Sequence, residues 1–294
     1  GDFVVHYTTL VQAVYYAPRG RRRLMHLGML ISQRYLGAED RLIGVIGDAG
    51  AGKSLLIRGM FPGLVLTNDD DGVNVRPLPV LEDAQNGVFR THTYHLDVRF
   101  EMAFTQLWEL AEVVRDAVNS GRRVVVEHFD LLYPLLGMNA EILIGIGEEV
   151  VVTKPTLFGP FPPEIAAQAL ESLVYRKMAH SAEDLTSIVF EEMGYDPPTI
   201  HSDVRRGFVV EFPNQLDIDL DEVERRVLAY IDQDVPICYH DESHILIGGV
   251  EVFCTVPRLH MRSSGEFANF RLEKRFQYSP LTQTYLLAGR VGKE

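Results

Sequence analysis

Gly47-Asp48-Ala49-Gly50-Ala51-Gly52-Lys53-Ser54 follows directly on the apolar run Leu42-Ile43-Gly44-Val45-Ile46 and leads straight into Leu55-Leu56-Ile57. Glycines at 47, 50 and 52 permit backbone angles that turn successive N–H groups inward, so the segment can line a nest for phosphate oxygens. A helix starting near Lys53 would aim its positive end at the same anion. Lys53 is then expected to reach the β- and γ-phosphates, and the Ser54 hydroxyl to ligate Mg²⁺. The eight residues Gly47, Asp48, Ala49, Gly50, Ala51, Gly52, Lys53 and Ser54 therefore read as a Walker A loop, with ATP and Mg²⁺ as the expected ligands.

The flanking pattern supports that context. Residues 24–36 have apolar positions at helical spacing, Leu42–Ile46 reads as a strand, and a helix is expected from Lys53 to about Met60. A second strand is expected at 64–66, then an amphipathic helix at 103–119 stopped by Ser120-Gly121. Strand-like apolar runs recur at 123–126, 141–146 and 149–153. Such alternation predicts an α/β domain of the P-loop NTPase type, a mainly parallel sheet with helices on both faces. The proline-rich stretch 155–163 (PTLFGPFPP) marks the expected boundary, giving domains of 1–160 and 161–294. Beyond it a long helix (164–193) precedes strands at 207–212, near 245–256 and near 267–278, with a helix at 221–232. That texture is α+β.

Composition narrows the function classes. The 294 residues carry a net charge of −13, and acidic side chains outnumber basic ones in both halves. Affinity for nucleic acid needs clustered Lys and Arg, so tRNA is disfavoured as a partner. The clusters Arg19/Arg21–Arg23, Arg205/Arg206 and Arg271/Lys274/Arg275 are the candidates for a local basic patch, and they read as ordinary solvated or salt-bridged faces. No stretch approaches the ~20 apolar residues of a membrane helix. Two cysteines, Cys238 and Cys254, make no disulfide framework, and without a signal-peptide pattern the expected compartment is the cytoplasm.

Carboxyl ends of parallel strands deliver side chains to a bound ligand. Glu127, after 123–126, is the candidate carboxylate for orienting Mg²⁺, with Asp130 a weaker one. Asp69, Asp70 and Asp71 follow the expected second strand, where a carboxylate can accept the proton of an acceptor hydroxyl. They read equally well as a solvated turn bounded by Asn68 and Gly72. His95, Asp97 and Arg99 are candidates for lining an acceptor pocket, or for structural hydrogen bonds.

Gly47–Ser54, the acidic segment and the strand ending in Glu127 together resemble the uridine kinase and phosphoribulokinase family. The resemblance implies a catalytic base among Asp69–Asp71 and a metal-side role for Glu127. Residues 176–275 resemble the second additional domain of alanyl- and threonyl-tRNA synthetases and of freestanding alanyl-editing proteins. That likeness rests on His180-Ser181-Ala182-Glu183-Asp184, on the strand 207–212 with the acidic helix after it, and on His260-Met261-Arg262-Ser263-Ser264-Gly265-Glu266. In that family two helical histidines, a cysteine and a last histidine converge, in many members on Zn²⁺, to hydrolyse mischarged aminoacyl esters. Here Asp184 stands for the second histidine and Val256 for the cysteine, while Cys254, two residues earlier, is expected on the opposite side. His180, Asp184 and His260 form the possible second metal site, with an eroded or repurposed site as the alternative. The whole chain resembles bacterial proteins described as alanyl-tRNA synthetase second-additional-domain proteins. The expected activity is phosphoryl transfer from ATP to a small hydroxyl-bearing acceptor. The alternatives are an aminoacyl-ester hydrolase with a nucleotide-controlled gate, and a non-catalytic nucleotide switch.

Overall fold

The structure is a computed structural model that describes residues 9–68, 74–198, 200–254 and 259–293. By its contacts the chain forms two units, Gly1–Tyr15 with Met25–Leu170, and Tyr16–Leu24 with Glu171–Glu294. The chain passes between the units within β1 (Ala13–Tyr16), within α1 (Arg21–Tyr35) and within the long helix α7 (Pro162–Glu192).

The first unit is built on a six-stranded sheet. In chain order its elements are β1 (Ala13–Tyr16), α1, β2 (Leu42–Ile46), α2 (Lys53–Met60), α3 (Pro79–Gln85), β3 (Thr93–Asp97), α4 (Val98–Glu101), α5 (Leu107–Asn119), β4 (Arg123–Glu127), α6 (Phe129–Leu136), β5 (Ile142–Ile146) and β6 (Glu149–Thr153). The strand order is β1-β6-β5-β2-β4-β3. Strands β3, β4, β2 and β5 run parallel, whereas β6 turns back antiparallel on β5. The sheet is thus mixed, because Gly147-Glu148 allows a tight hairpin where a parallel strand would need a long crossover. Every residue of β2 and β5 is buried, so both faces of the sheet centre are covered. Helix α5 supplies part of that cover through Leu110, Ala111, Val114 and Ala117, one stripe at helical spacing.

One expected strand is absent. Residues 64–66 form no ladder, since the run is short and Val65 is 68% exposed. The place beside β4 belongs to β3, a longer segment that buries Tyr94 and Leu96.

Helix α2 is held at close quarters. A Cβ on Gly28 of α1 would lie 2.1 Å from the Leu56 carbonyl oxygen, and one on Gly59 of α2 would lie 1.9 Å from that of Met25. The two backbones touch with no side chain between them, an approach that only glycine permits.

The second unit begins with the latter part of α7 (Pro162–Glu192). It continues through β7 (Ile200–Val204), β8 (Gly207–Phe212), α8 (Leu220–Asp232), β9 (Ile237–Asp241), β10 (His244–Ile247), β11 (Val250–Phe253), β12 (Arg271–Leu272), β13 (Gln277–Ser279) and β14 (Thr284–Arg290). Antiparallel strands make a sheet of order β12-β14-β8-β7, with β13 also on β14, and a separate meander of order β11-β10-β9. Leu185, Val189 and Phe190 of α7 share a core with Val210, Phe212, Val223, Val227, Ile245 and Leu287. Asp219 caps α8 by accepting from the N–H groups of Asp221 (3.1 Å) and Glu222 (3.2 Å). The expected long helix, the 207–212 strand and the acidic helix are present. Strands β7 and β14 were not anticipated, and the run expected near 267–278 is only the short β12 and β13.

Candidate functional site

The glycine-rich turn joins the carboxyl end of β2 to the start of α2. Gly50 (φ 78°) and Gly52 (φ 106°) take the left-handed conformation that an L side chain rarely adopts. A Cβ on Gly47 would lie 2.5 Å from Ile146 Cγ2, so this position is confined sterically as well. Ala51 N–H donates to the Asp48 carbonyl (3.1 Å) and Leu56 N–H to that of Gly52 (3.0 Å), closing the turn onto the helix. Lys53 Nζ folds back over it and donates to the carbonyls of Gly47 (3.0 Å) and Asp48 (2.8 Å). Lys53 and Ser54 are both buried. The amides of the first turn of a helix have no intrahelical acceptors, so α2 opens toward this turn with donors to spare.

Three carboxylates stand near the same edge. Glu127 ends β4, level with Val45 of β2 and Asp97 of β3. It is buried, and one of its oxygens lies 2.7 Å from His95 Nε2. The other ring nitrogen, Nδ1, accepts from Thr67 N–H at 3.0 Å. An amide can only donate, so Nδ1 carries the lone pair and Nε2–H donates to Glu127. His95 thus bridges Thr67 and Glu127 and holds the carboxylate in place. Asp97 caps α4 by accepting from Phe100 N–H (3.2 Å) and takes a long bond from Asn68 (3.4 Å). Asp69, Asp70 and Asp71 lie outside the described residues.

Asp130 differs from the others. It lines a cavity of about 250 Å³ with Ile46, Gly47, Arg99, His128 and Leu131, next to the glycine-rich turn. Its Oδ1 is buried with no hydrogen-bond partner among the described residues. Burial raises its carboxyl above the ordinary value. His128 follows Glu127 in the left-handed conformation (φ 54°) and faces the same cavity. Burial, and then the neighbouring Lys53 ammonium, pull its imidazole down to about 4.

The second unit holds a buried polar cluster. Asp184 Oδ2 lies 2.6 Å from His260 Nε2, and Cys254 Sγ lies 3.5 Å from that same nitrogen. One donor atom from each of the three falls within 4.8 Å of the others. Both short contacts use a single ring nitrogen, which is the geometry of groups converging on a point and not of a relay through the imidazole. Arg19 reaches in with one nitrogen 2.7 Å from Asp184 Oδ1 and 3.7 Å from Cys254 Sγ, and the other paired with Glu183. His201 is paired with Glu183 in turn. Burial alone would raise the Asp184 carboxyl, but Arg19 and His260 outweigh it and hold the group below its ordinary value. His180 lies one helical turn before Asp184, its ring centre 6.3 Å from that of His260. Burial, then Arg19 and Arg176, keep this imidazole neutral, and its Nδ1 has no partner among the described residues. A carboxylate, a thiol and an imidazole form a donor set that suits a soft divalent cation, with the unpartnered Nδ1 of His180 nearby.

The structure thus brings Asp184 and His260 together, with His180 close by, and it adds Cys254. The expectation that Cys254 points away is corrected: residues two apart on a strand share a face, and Cys254, buried just beyond β11, meets His260. Arg19 and Glu183 belong to the cluster without a sequence signal strong enough to find them. Arg19 is separated from its carboxylates by more than 160 positions, and its basic neighbours suggested a solvated face.

No protein-family model matches the chain, and no curated protein matches it. The fold taken alone defines a mixed α/β protein with a six-stranded, mostly parallel sheet and additional antiparallel sheets. Among the described residues no helix is long and apolar enough to cross a membrane.

Proposed function

We propose that the first unit binds ATP with Mg²⁺ through Gly47–Ser54 and transfers a phosphoryl group to a small hydroxyl-bearing acceptor. The observation that carries this reading is the turn between β2 and α2, with left-handed glycines and with Lys53 Nζ resting on its carbonyls. On binding, Lys53 would exchange those carbonyls for β- and γ-phosphate oxygens, and the loop amides would take the remaining charge. Ser54 and Glu127 supply oxygen donors on the metal side, Glu127 through the carboxylate that His95 orients. The metal's contribution, when bound, is to neutralise charge building on the transferred group. Asp130 is the carboxylate best suited to position the acceptor, being half-buried, with Oδ1 unpartnered among the described residues, and in the cavity beside the loop. It would accept the hydroxyl proton as the new oxygen–phosphorus bond forms and the bond to the β-phosphate oxygen breaks. Asp69–Asp71, which the family resemblance offers as the base, are the alternative to Asp130 for that proton.

The test is ATP consumption with a panel of nucleosides, sugars and amino alcohols. One of them should raise turnover at least tenfold over water. Tight binding with equally slow turnover for every compound would identify a nucleotide switch and end the kinase reading. A more local readout is His128. In the free protein its imidazole should titrate at about 4, and ATP should move it upward, because the phosphate charge offsets Lys53. An NMR pH titration measures this, and an unmoved value would mean that the phosphates bind elsewhere.

A second reading is favoured by the convergence of Asp184, Cys254 and His260. In it the second unit holds a soft divalent ion such as Zn²⁺, with His180 completing the ligand set, and hydrolyses an aminoacyl ester. The chemistry that ion supplies is a water acidic enough to attack at neutral pH. Zinc should then be present in the purified protein by elemental analysis and be lost in Cys254→Ser. Metal-free protein with an unchanged cluster would leave a purely structural polar core.

A further inference from the structure

At one end of the second unit's larger sheet, five cations surround a cavity of about 510 Å³. Arg205, Arg206, Arg271, Arg290 and Lys293 line it, and Glu273 is the acid among them. The strand register puts them there. Arg205 and Arg206 form the β7–β8 turn, with Arg206 in the left-handed conformation (φ 51°). Gly207 just after the turn pairs with Arg290 of β14, and Arg290 on its other side pairs with Arg271 of β12. Val291 N–H donates to the Arg206 carbonyl (2.9 Å), tying the turn to the end of β14.

Two of these side chains are held as well as placed. Arg206 lies over the Tyr175 ring at 4.2 Å and donates to the Lys293 carbonyl. Arg271 donates to the carbonyls of Asn269 (3.2 Å) and Gly292 (3.3 Å). Glu273 approaches Arg290 only to 4.0 Å. In a chain of net charge −13 this gathering is not a by-product of basic composition.

We infer that this cavity binds a compact phosphorylated small molecule. Guanidinium forks match phosphate oxygens in pairs, and a cavity of this volume lies in the range of small-ligand sites. A nucleic-acid backbone would call for a basic stripe running on across the surface, whereas these cations meet in one concavity. The site is independent of the nucleotide reading of the first unit.

Pyrophosphate is the probe, titrated calorimetrically into full-length Lys53→Ala protein so that the glycine-rich turn does not contribute. Saturable binding that weakens with added salt is expected, and the double variant Arg271→Gln/Arg290→Gln should lose at least tenfold in affinity. If that variant does not fold, Arg205→Gln on the exposed turn should weaken binding several-fold and serves in its place. No pyrophosphate binding, equal affinity in parent and variants, or binding of single-stranded RNA without pyrophosphate would each overturn the inference.

Discussion

Lys53→Ala should weaken ATP–Mg²⁺ binding by about 10- to 100-fold, the loss that follows from removing a charged hydrogen-bond donor worth about 1.5–3 kcal/mol. The side chain is buried and already turned onto the carbonyls of Gly47 and Asp48, so it is pre-positioned over the turn. Its removal deletes the one side-chain cation of the loop itself, leaving its neutral amides, with Arg99 across the neighbouring cavity. The substitution cuts no core contact of the second unit, whose hydrogen-exchange protection at Val210 and Leu287 should be unchanged. Trp108, the one tryptophan of the chain, lies in α5 and reports on the first unit alone. Equal affinity in variant and parent would remove the basis of the nucleotide assignment.

Arg19→Met should destabilise the second unit by about 3–5 kcal/mol, the usual result of removing one partner from a buried ion pair. Glu183 and Asp184 would be left as adjacent buried carboxylates without their cation. Arg19→Lys should recover only part of the loss, because an ammonium cannot fork to both carboxylates and the Cys254 sulfur. Amide exchange in α7 and β8 would measure it, and an unchanged protection pattern would contradict the ion-pair account. Acid should narrow the gap. In the parent, the lowered Asp184 carboxyl contributes stability above its unfolded pKa of about 3.9, and that is lost only as the pH falls through its lower folded value. In the variant only His260 still opposes burial, so the carboxyl moves up relative to the parent and protonation removes the buried charge at a higher pH. The deficit should therefore shrink as the pH is lowered toward about 4.

Local patterns account for what was readable beforehand. Strands β2 and β4 and helix α2 were legible because each is a continuous apolar run or a helical stripe next to glycine punctuation. The antiparallel turn of β6 was not, since a buried strand has the same composition in either direction. Strand β3 was missed because Tyr94-His95-Leu96-Asp97 mixes polar groups into a buried strand, and only the fold shows His95 satisfied by Thr67 and Glu127. In the second unit, the helical spacing of His180 and Asp184 was visible, while Arg19 and Cys254 join them through contacts distant in sequence. The glycine-rich turn is the opposite case, since all of its residues are contiguous and each has a stated stereochemical reason. Asp130 lay between, noticed for its position but distinguished only by its missing partner.

The glycine-to-glycine seam between α1 and α2 restricts how the first unit can respond to a ligand. With carbonyls already in contact distance of any added methyl, neither helix has slack to slide or rotate against the other. The stem of the turn behaves as a fixed post, so accommodation must come from the few peptides between Gly47 and Gly52 and from the swing of one lysine. Slow amide exchange along α2, the same with and without ATP, would be its signature.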